Sequence, residues 1–359
     1  MVQPLARLTI QHVGPTSGGG IATALVSLVS ALRAFPDLHV ETVASTTRAG
    51  IPRKLQVGLQ ALAQVRRERP ASPRIVHLHT ASGLSFWRKA LLLEAARRAG
   101  AYTVLHVHGG AFERFVRETG RFARRRIEQT FASADRVLVV SEVQRLFISE
   151  RFHRAVELMP NAVHIPEYTP PPSPPPICLV HIGRLGRLKG TWDLLDALGS
   201  LPAEGCDWSA VLVGDGDVDE ARRRTEALGG RVRVLGWQGS AEITALLRDS
   251  HFLVLPSYVE GLPISVLEAM AEGRAVITSP VGGLPELLAD RQNGLLVPVG
   301  DRAALSRAIV ELLESDTLRD RLGAAARETV VRAHDLNAVA RRAHALYLEL
   351  VDHPHGAAC

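Results

Sequence analysis

The sequence predicts an α/β protein made of two doubly wound parallel-sheet domains. Three observations point there. At 359 residues the chain exceeds what one hydrophobic core usually serves. Short β-branched runs alternate with segments of helical period, the pattern of a parallel sheet covered on both faces. The alternation pauses at residues 166–176 (PEYTPPPSPPP), where seven of eleven positions are proline. Such a run favours stiff polyproline II backbone and joins neither a helix nor a central strand. It reads as a linker, with an SH3-type ligand as the competing reading. The expected division is 1–165, a linker over 166–176, 177–335, and a terminal helix with its tail over 336–359.

In the first domain the expected strands are RLTIQHV (7–13), HVETVAS (39–45), IVHLHT (75–80), YTVLHVH (102–108) and RVLVVS (136–141). Residues 1–14 read as a first strand rather than a signal peptide, because Arg7 and His12 break a short apolar run. Helices are expected from about 20 and near 54–69, 85–99, 112–132 and 142–152. Ligands of such sheets gather at the carboxyl ends of the strands, and three features fall there. One is the turn GPTSGGG (14–20), whose Gly19 and Gly20 allow close backbone approach to a phosphate; its spacing departs from GxGxxG. Another is His106-Val-His108-Gly-Gly. The two histidines share one sheet face, and His108, at the strand end, is the one expected to meet a ligand. No cysteine or carboxylate stands beside them at ligand spacing, so no metal site is expected. The third is basic: Arg88 and Lys89, then Arg114, Arg117, Arg121 and Arg124 on one helical face with Phe112, Phe115 and Phe122 interleaved. That pattern suits an amphipathic helix on an anionic bilayer; the plainer alternative is a solvated basic helix over ordinary core.

The charge is uneven. Residues 1–165 carry 23 Lys+Arg against 11 Asp+Glu, and the remainder 19 against 26. A basic first half fits an anionic membrane or a phosphate-bearing substrate. No nucleic-acid motif accompanies it. No apolar run is long enough to span a membrane. Cys178, Cys206 and Cys359 are odd in number and far apart, which points to reduced thiols in the cytoplasm.

In the second domain ICLVHIGRL (177–185), SAVLVGDG (209–216), VRVLGW (232–237), HFLVLPS (251–257), AVITSPV (275–281) and GLLVPV (294–299) read as strands, with helices between and to about 352. Their ends carry Gly183, Arg184 and Lys189, then Gly214, then Gly236 and Trp237, and then the stretch from Pro256 to Gly273. There a Gly261-Leu262-Pro263 turn leads into a helix expected to begin at about Pro263. Ile264, Val266, Leu267 and Met270 mark its buried side, while Ser265, Glu268 and Glu272 fall on the other. A helix N-terminus between Glu260 and Glu268 offers an anion site flanked by carboxylates that accept from hydroxyls. Arg184 and Lys189, beside another helix start, suit a diphosphate.

The succession HIGRLGRLKG, LVGDG, VLGWQG, LPSYVEGLPISVLEAMAEGRAVITSPVGGLPELL and NGLLVPVGD is similar to the donor domain of the family 4 retaining glycosyltransferases. Glu260 and Glu268 match that family's Glu-x7-Glu pair. The likeness is close over about 177–300 and looser before. It implies two Rossmann-like domains facing a cleft (the GT-B type), with the last helix crossing back to the first domain. It also implies a UDP- or GDP-sugar donor and no metal or other cofactor. By resemblance, Glu268 holds the ribose and Glu260 the transferred sugar, with the Gly261 amide region beside it. Arg184 and Lys189 meet the diphosphate, helped by Gly19 and Gly20. Gly236 and Trp237 line the base, and His108 stands near the reacting carbon. HLHTASGLSFWRKALLLEA and HVHGGAFERF resemble bacterial transferases that build polysaccharide on lipid-diphosphate carriers. The implied partners are a glycan or lipid-linked acceptor, with Arg88 and Lys89 as candidates for its diphosphate, and the inner face of the plasma membrane.

Overall fold

The computed structural model describes residues 8–16, 18–47, 49–67, 72–171, 176–201 and 207–352. The chain divides into two units, residues 1–162 with 336–359, and residues 163–335.

The first unit runs β1 (Leu8–Pro15), α1 (Gly20–Leu32), β2 (Leu38–Thr46), α2 (Ile51–Val65), β3 (Arg74–Thr80), α3 (Leu84–Arg98), β4 (Tyr102–Val107), α4 (Phe112–Glu118), α5 (Arg121–Ser133), β5 (Arg136–Val139), α6 (Glu142–Phe152) and β6 (Glu157–Leu158). Its sheet has the order β2-β1-β3-β4-β5-β6, and every pairing is parallel. Side chains alternate across the sheet with period 2. Val13, Val76, Leu78, Leu105 and Val107 therefore pack with α2, α3 and α5 in one core layer. Ile10, Ile75 and Val104 pack on the opposite face, with α1.

The second unit runs β7 (Ile177–Ile182), α7 (Thr191–Gly199), β8 (Trp208–Val213), α8 (Val218–Thr225), β9 (Val232–Leu235), α9 (Ser240–Arg248), β10 (Phe252–Leu255), α10 (Ile264–Ala271), β11 (Ala275–Thr278), α11 (Leu284–Leu287), β12 (Leu295–Leu296), α12 (Arg302–Glu314) and α13 (Asp316–Ala333). Its parallel sheet has the order β12-β11-β10-β7-β8-β9. Strands buried on both faces explain the near-continuous apolar runs Phe252–Leu255 and Ala275–Ile277.

The final helix, α14 (Leu336–Asp352), belongs to the first unit. Val339, Ala343, Leu346 and Leu350, read as one apolar stripe, are buried against Leu25, Val29 and Leu32 of α1 and against the sheet. Each large apolar side chain so buried contributes roughly 1.5–3 kcal/mol.

Two expectations change. The proline-rich stretch is not a free connector where it is described, since residues 163–171 sit in the second unit. Arg274 donates to Thr169 O at 2.9 Å, Arg327 donates to Pro166 O at 2.5 Å, and the Arg327 guanidinium lies over the Tyr168 ring. The basic helix expected over 112–132 is two helices. Thr119 and Gly120 are extended, with ψ of 132° and 160°, so Arg114, Arg117, Arg121 and Arg124 share no single helical face. Cys178 is half-buried and in no disulfide among the described residues; Cys206 and Cys359 lie outside the described residues.

Candidate functional site

In the second unit the strand ends converge on Glu260. The turn after β10 buries its carboxylate to 6% exposure. Lys189 Nζ donates to its Oε1 at 2.5 Å and Ser257 Oγ to the same oxygen at 2.7 Å. Among the described residues Oε2 has no partner, so one oxygen anchors the residue and the other can accept from a ligand hydroxyl. An ammonium has three donors, and Lys189 commits one of them here. The position of Lys189 is fixed by Gly190, which takes φ of 67° and lies against β10: a Cβ there would stand 2.1 Å from Pro256 O. Gly282 plays the same part behind Glu260, where a Cβ would meet Glu260 O at 2.0 Å. Gly283 N donates to Gly261 O at 2.7 Å and ties the GGLPE loop to the Glu260–Gly261 turn.

Pro263 is the N-cap of α10 rather than its first helical residue, with φ −71° and ψ 126°. No side chain caps this N-terminus, so its first amides remain available to an anion. Leu262 is buried, and Ser265 is half-exposed one residue into the helix. Ile264, Val266, Leu267 and Met270 are core, as their spacing predicts. Glu268 is half-buried, and among the described residues its carboxylate has no hydrogen-bond partner. Burial pushes this carboxyl up to about 7, which is the expected result of desolvating a carboxylate without a compensating donor. Glu272, read on the same face, instead pairs with Arg248 at 3.3 Å.

Gly183 follows β7, and its amide donates to Val213 O at 2.9 Å, next to Gly214. Arg184 is exposed beside them and has no ion-pair or hydrogen-bond partner among the described residues. Gly236 and Trp237 follow β9 at the sheet edge, the indole half-exposed. The second unit thus collects a free guanidinium, a half-committed ammonium, one free carboxylate and one half-free carboxylate at the carboxyl edge of a parallel sheet.

The first unit treats its polar groups differently. Gly18 and Gly19 take φ of 73° and 81° and lead into α1 at Gly20, whose N-terminus has no side-chain cap. His108, just past β4, is 6% exposed. Its Nε2 meets His79 Nδ1 at 2.9 Å and its Nδ1 meets Asn161 Oδ1 at 3.1 Å. The distinction drawn between His108 and His106 dissolves, because both belong to one buried cluster with His12, His77 and His79. Burial holds His108 down to about 4, His12 down to about 3, and the other three well below the ordinary range. Three nitrogens of His79, His106 and His108 lie within 4.8 Å of one another, but every ring nitrogen is engaged by a protein partner. Asn161 and Tyr347 complete the cluster. Neither stood out in the sequence; the signal was the alternate pairs His77/His79 and His106/His108 on neighbouring strands, with His12 on the strand beside them.

Lys89 on α3 is 1% exposed and has neither a hydrogen bond nor a carboxylate partner among the described residues. Burial, and then the Arg88 guanidinium, push its ammonium down to about 7. Arg88 Nε is also buried without a partner. The other basic residues are spoken for. Arg114 pairs with Glu118 at 2.8 Å and Arg117 with Glu113 at 2.7 Å. Arg124 donates to Thr119 O at 3.0 Å, closing the end of α4. Arg121 lies over Phe122. Phe112 and Phe115 are core, whereas Phe122 is 86% exposed. A feature the sequence reading missed is the row Ile51, Leu55 and Leu59, exposed along α2 at helical spacing.

Residues 20–166 match the family described as "Glycosyltransferase Family 4" and residues 170–329 the family "Glycosyl transferases group 1". The phosphatidyl-myo-inositol mannosyltransferase of Mycobacterium leprae is 32% identical over 222 residues, 58% of this chain and 58% of that one. The amylovoran biosynthesis glycosyltransferase AmsK of Erwinia amylovora is 31% identical over 39% of this chain and 37% of its own. The matches thus span little more than half the length of the first relative and less of the second. Sucrose-phosphate synthase from Thermosynechococcus elongatus superposes with a TM-score of 0.79 at 21% identity, over 96% of this chain and 100% of that one. Anabaena HepE, solved with UDP and glucose, gives 0.74 at 19% identity, over 95% and 99%. The fold is that of the two-domain, Rossmann-like glycosyltransferases. The two family models cover most of the chain between them, and both describe glycosyltransferases.

Proposed function

We propose that this protein transfers a sugar, with retention, from a UDP- or GDP-sugar to an acceptor bearing a phosphate or lipid diphosphate, in polysaccharide or glycolipid synthesis. The observation that carries the donor half is the set of uncommitted groups around Glu260. Glu268 offers both carboxylate oxygens to the ribose hydroxyls, and Glu260 offers Oε2 to a hydroxyl of the transferred sugar. Arg184 and the remaining donors of Lys189, with the open N-terminus of α10, meet the diphosphate. Fixed positive groups placed where charge develops on the leaving phosphate stabilise the transition state with little reorganisation. In this reading they do so without a metal. The acceptor hydroxyl attacks from the leaving-group side and gives its proton to the departing phosphate. His108 belongs to the acceptor side, with Gly19 and Gly20 assisting the phosphates.

The acceptor half rests on Lys89. An anion placed beside it would offset both causes of its lowered pKa, desolvation and the Arg88 charge. A lipid-linked acceptor implies a membrane surface. No described helix is long and apolar enough to cross a membrane, so contact would be peripheral. The exposed Ile51, Leu55 and Leu59 with Arg53 and Lys54, and Phe122 with Arg121 and Arg125, suit an anionic bilayer on the cytoplasmic face.

The donor reading is tested by calorimetry of Glu268→Ala against a panel of UDP- and GDP-sugars. Loss of two hydrogen bonds to a charged group should weaken the cognate donor by on the order of 10–100-fold. Unchanged affinity would remove the ribose assignment.

A further inference from the structure

The buried histidines of the first unit form one continuous chain, and its proton count selects a tautomer for His108. From one end, His106 Nε2 meets Met159 O at 3.0 Å, and His106 Nδ1 meets His77 Nε2 at 3.2 Å. His77 Nδ1 meets the Tyr347 hydroxyl at 2.6 Å, and that hydroxyl meets His12 Nε2 at 3.4 Å. His12 Nδ1 meets His79 Nε2 at 2.9 Å, His79 Nδ1 meets His108 Nε2 at 2.9 Å, and His108 Nδ1 meets Asn161 Oδ1 at 3.1 Å. The period-2 alternation puts all five rings on the face covered by α14, and the register sets His12 beside His77 and His79 beside His106.

There are seven contacts, but five neutral imidazoles and one hydroxyl supply six protons. No carboxylate is bonded to the imidazoles or to Tyr347 among the described residues; the charged group acting on His108 is Lys89 of α3. One contact must therefore lack a proton. At the first end Met159 O can only accept, so His106 donates to it, His77 donates to His106, and Tyr347 donates to His77 at the shortest contact of the chain. The contact left without a proton is then the longest one, between Tyr347 and His12. That vacancy requires the other arm to run outward: His12 donates to His79, His79 to His108, and His108 Nδ1–H to Asn161. Had Asn161 presented its amino group instead, all seven contacts would carry protons and the Tyr347–His12 contact would be as short as its neighbours.

Resting on the assignment of His108 to the reacting end, we propose that Asn161 is a positioning residue that, with the His79–His12 arm, holds His108 in the Nδ1–H tautomer. The ring then presents a fixed dipole.

The test is ¹⁵N NMR of the histidine-labelled full chain together with steady-state kinetics. The native protein should show His108 protonated at Nδ1 and bare at Nε2. Asn161→Asp, which only accepts, should keep that tautomer and most of the turnover. Asn161→Leu should lose the tautomer and lower kcat on the order of tenfold with the donor KM unchanged. A native His108 protonated at Nε2, or a tautomer indifferent to Asn161→Leu, overturns the proposal. A tautomer that shifts with turnover unchanged leaves the chain standing and removes His108 from the reaction.

Discussion

The two units share one architecture, a sheet of six parallel strands, yet they spend their polar groups in opposite ways. In the first unit His12, His77, His79, His106 and His108 bond to one another, to Tyr347, to Asn161 and to Met159 O until each of their ring nitrogens is used. Among the described residues, the second leaves Arg184 and Glu268 unpartnered and Glu260 half-partnered. Polar groups that satisfy one another fix a core; groups held without partners are prepared for a ligand and cost stability until it arrives. Lys89 and the buried Arg88 Nε beside it lack partners among the described residues of the first unit, which makes this pair the strongest candidate there for meeting an anion.

This contrast can be broken most forcefully with acid. The five histidines are neutral when folded but protonate near 6.5 when unfolded. Their depressed folded values mean stability is present above about pH 6.5 and is lost as pH falls toward the folded values. At pH 5 the loss is about 2 kcal/mol for each histidine. Limited proteolysis across pH 7 to 5 should open the first unit before the second, which in the corresponding core holds His181, bonded to Val254 O and Thr191. Simultaneous opening would contradict the contrast.

Next in size is Lys189→Ala. It strips the main cation from a buried Glu260, a change that costs up to about 3–5 kcal/mol when the pair is fully buried, and less here because Lys189 is 26% exposed. Turnover should fall by on the order of 10²–10³. Thermal unfolding and turnover together decide: a stable, active variant would mean that Lys189 is neither anchor nor phosphate contact.

The smallest effect is at the surface. Replacing Leu55 and Leu59 by Ser should leave thermal stability within about 0.5 kcal/mol and reduce flotation with anionic liposomes. The native chain should float less at high salt. No flotation at any salt would favour a soluble acceptor.

The sequence carried the second unit better than the first, for a physical reason. A cluster of polar groups built from successive strand–turn–helix junctions has its spacing written locally, as in Glu260 and Glu268 on one turn and helix. The glycines that fix Lys189 and Glu260 are also local. The first unit's cluster depends on register between β1, β3 and β4 and on a tyrosine far along the chain, so Asn161 and Tyr347 carried no local mark. The basic helix failed for a similar reason. Helical spacing was real on either side of Gly120, but one extended pair of residues turned it into two helices, and Arg114 and Arg117 of the first are paired with that helix's own glutamates.

The position of α14 also sets a timetable for synthesis. The first unit lacks the part of the cover of one sheet face that α1 leaves open until residues 336–352 are made, after the whole of the second unit. At ~5–20 residues per second, Ile10, Ile75 and the five imidazoles wait on the order of ten seconds or more for that cover. Meanwhile the second unit, whose chain enters and leaves side by side where Val163 N donates to His334 O at 3.0 Å, has all its own strands in hand. The nascent chain is therefore expected to finish its middle before its beginning.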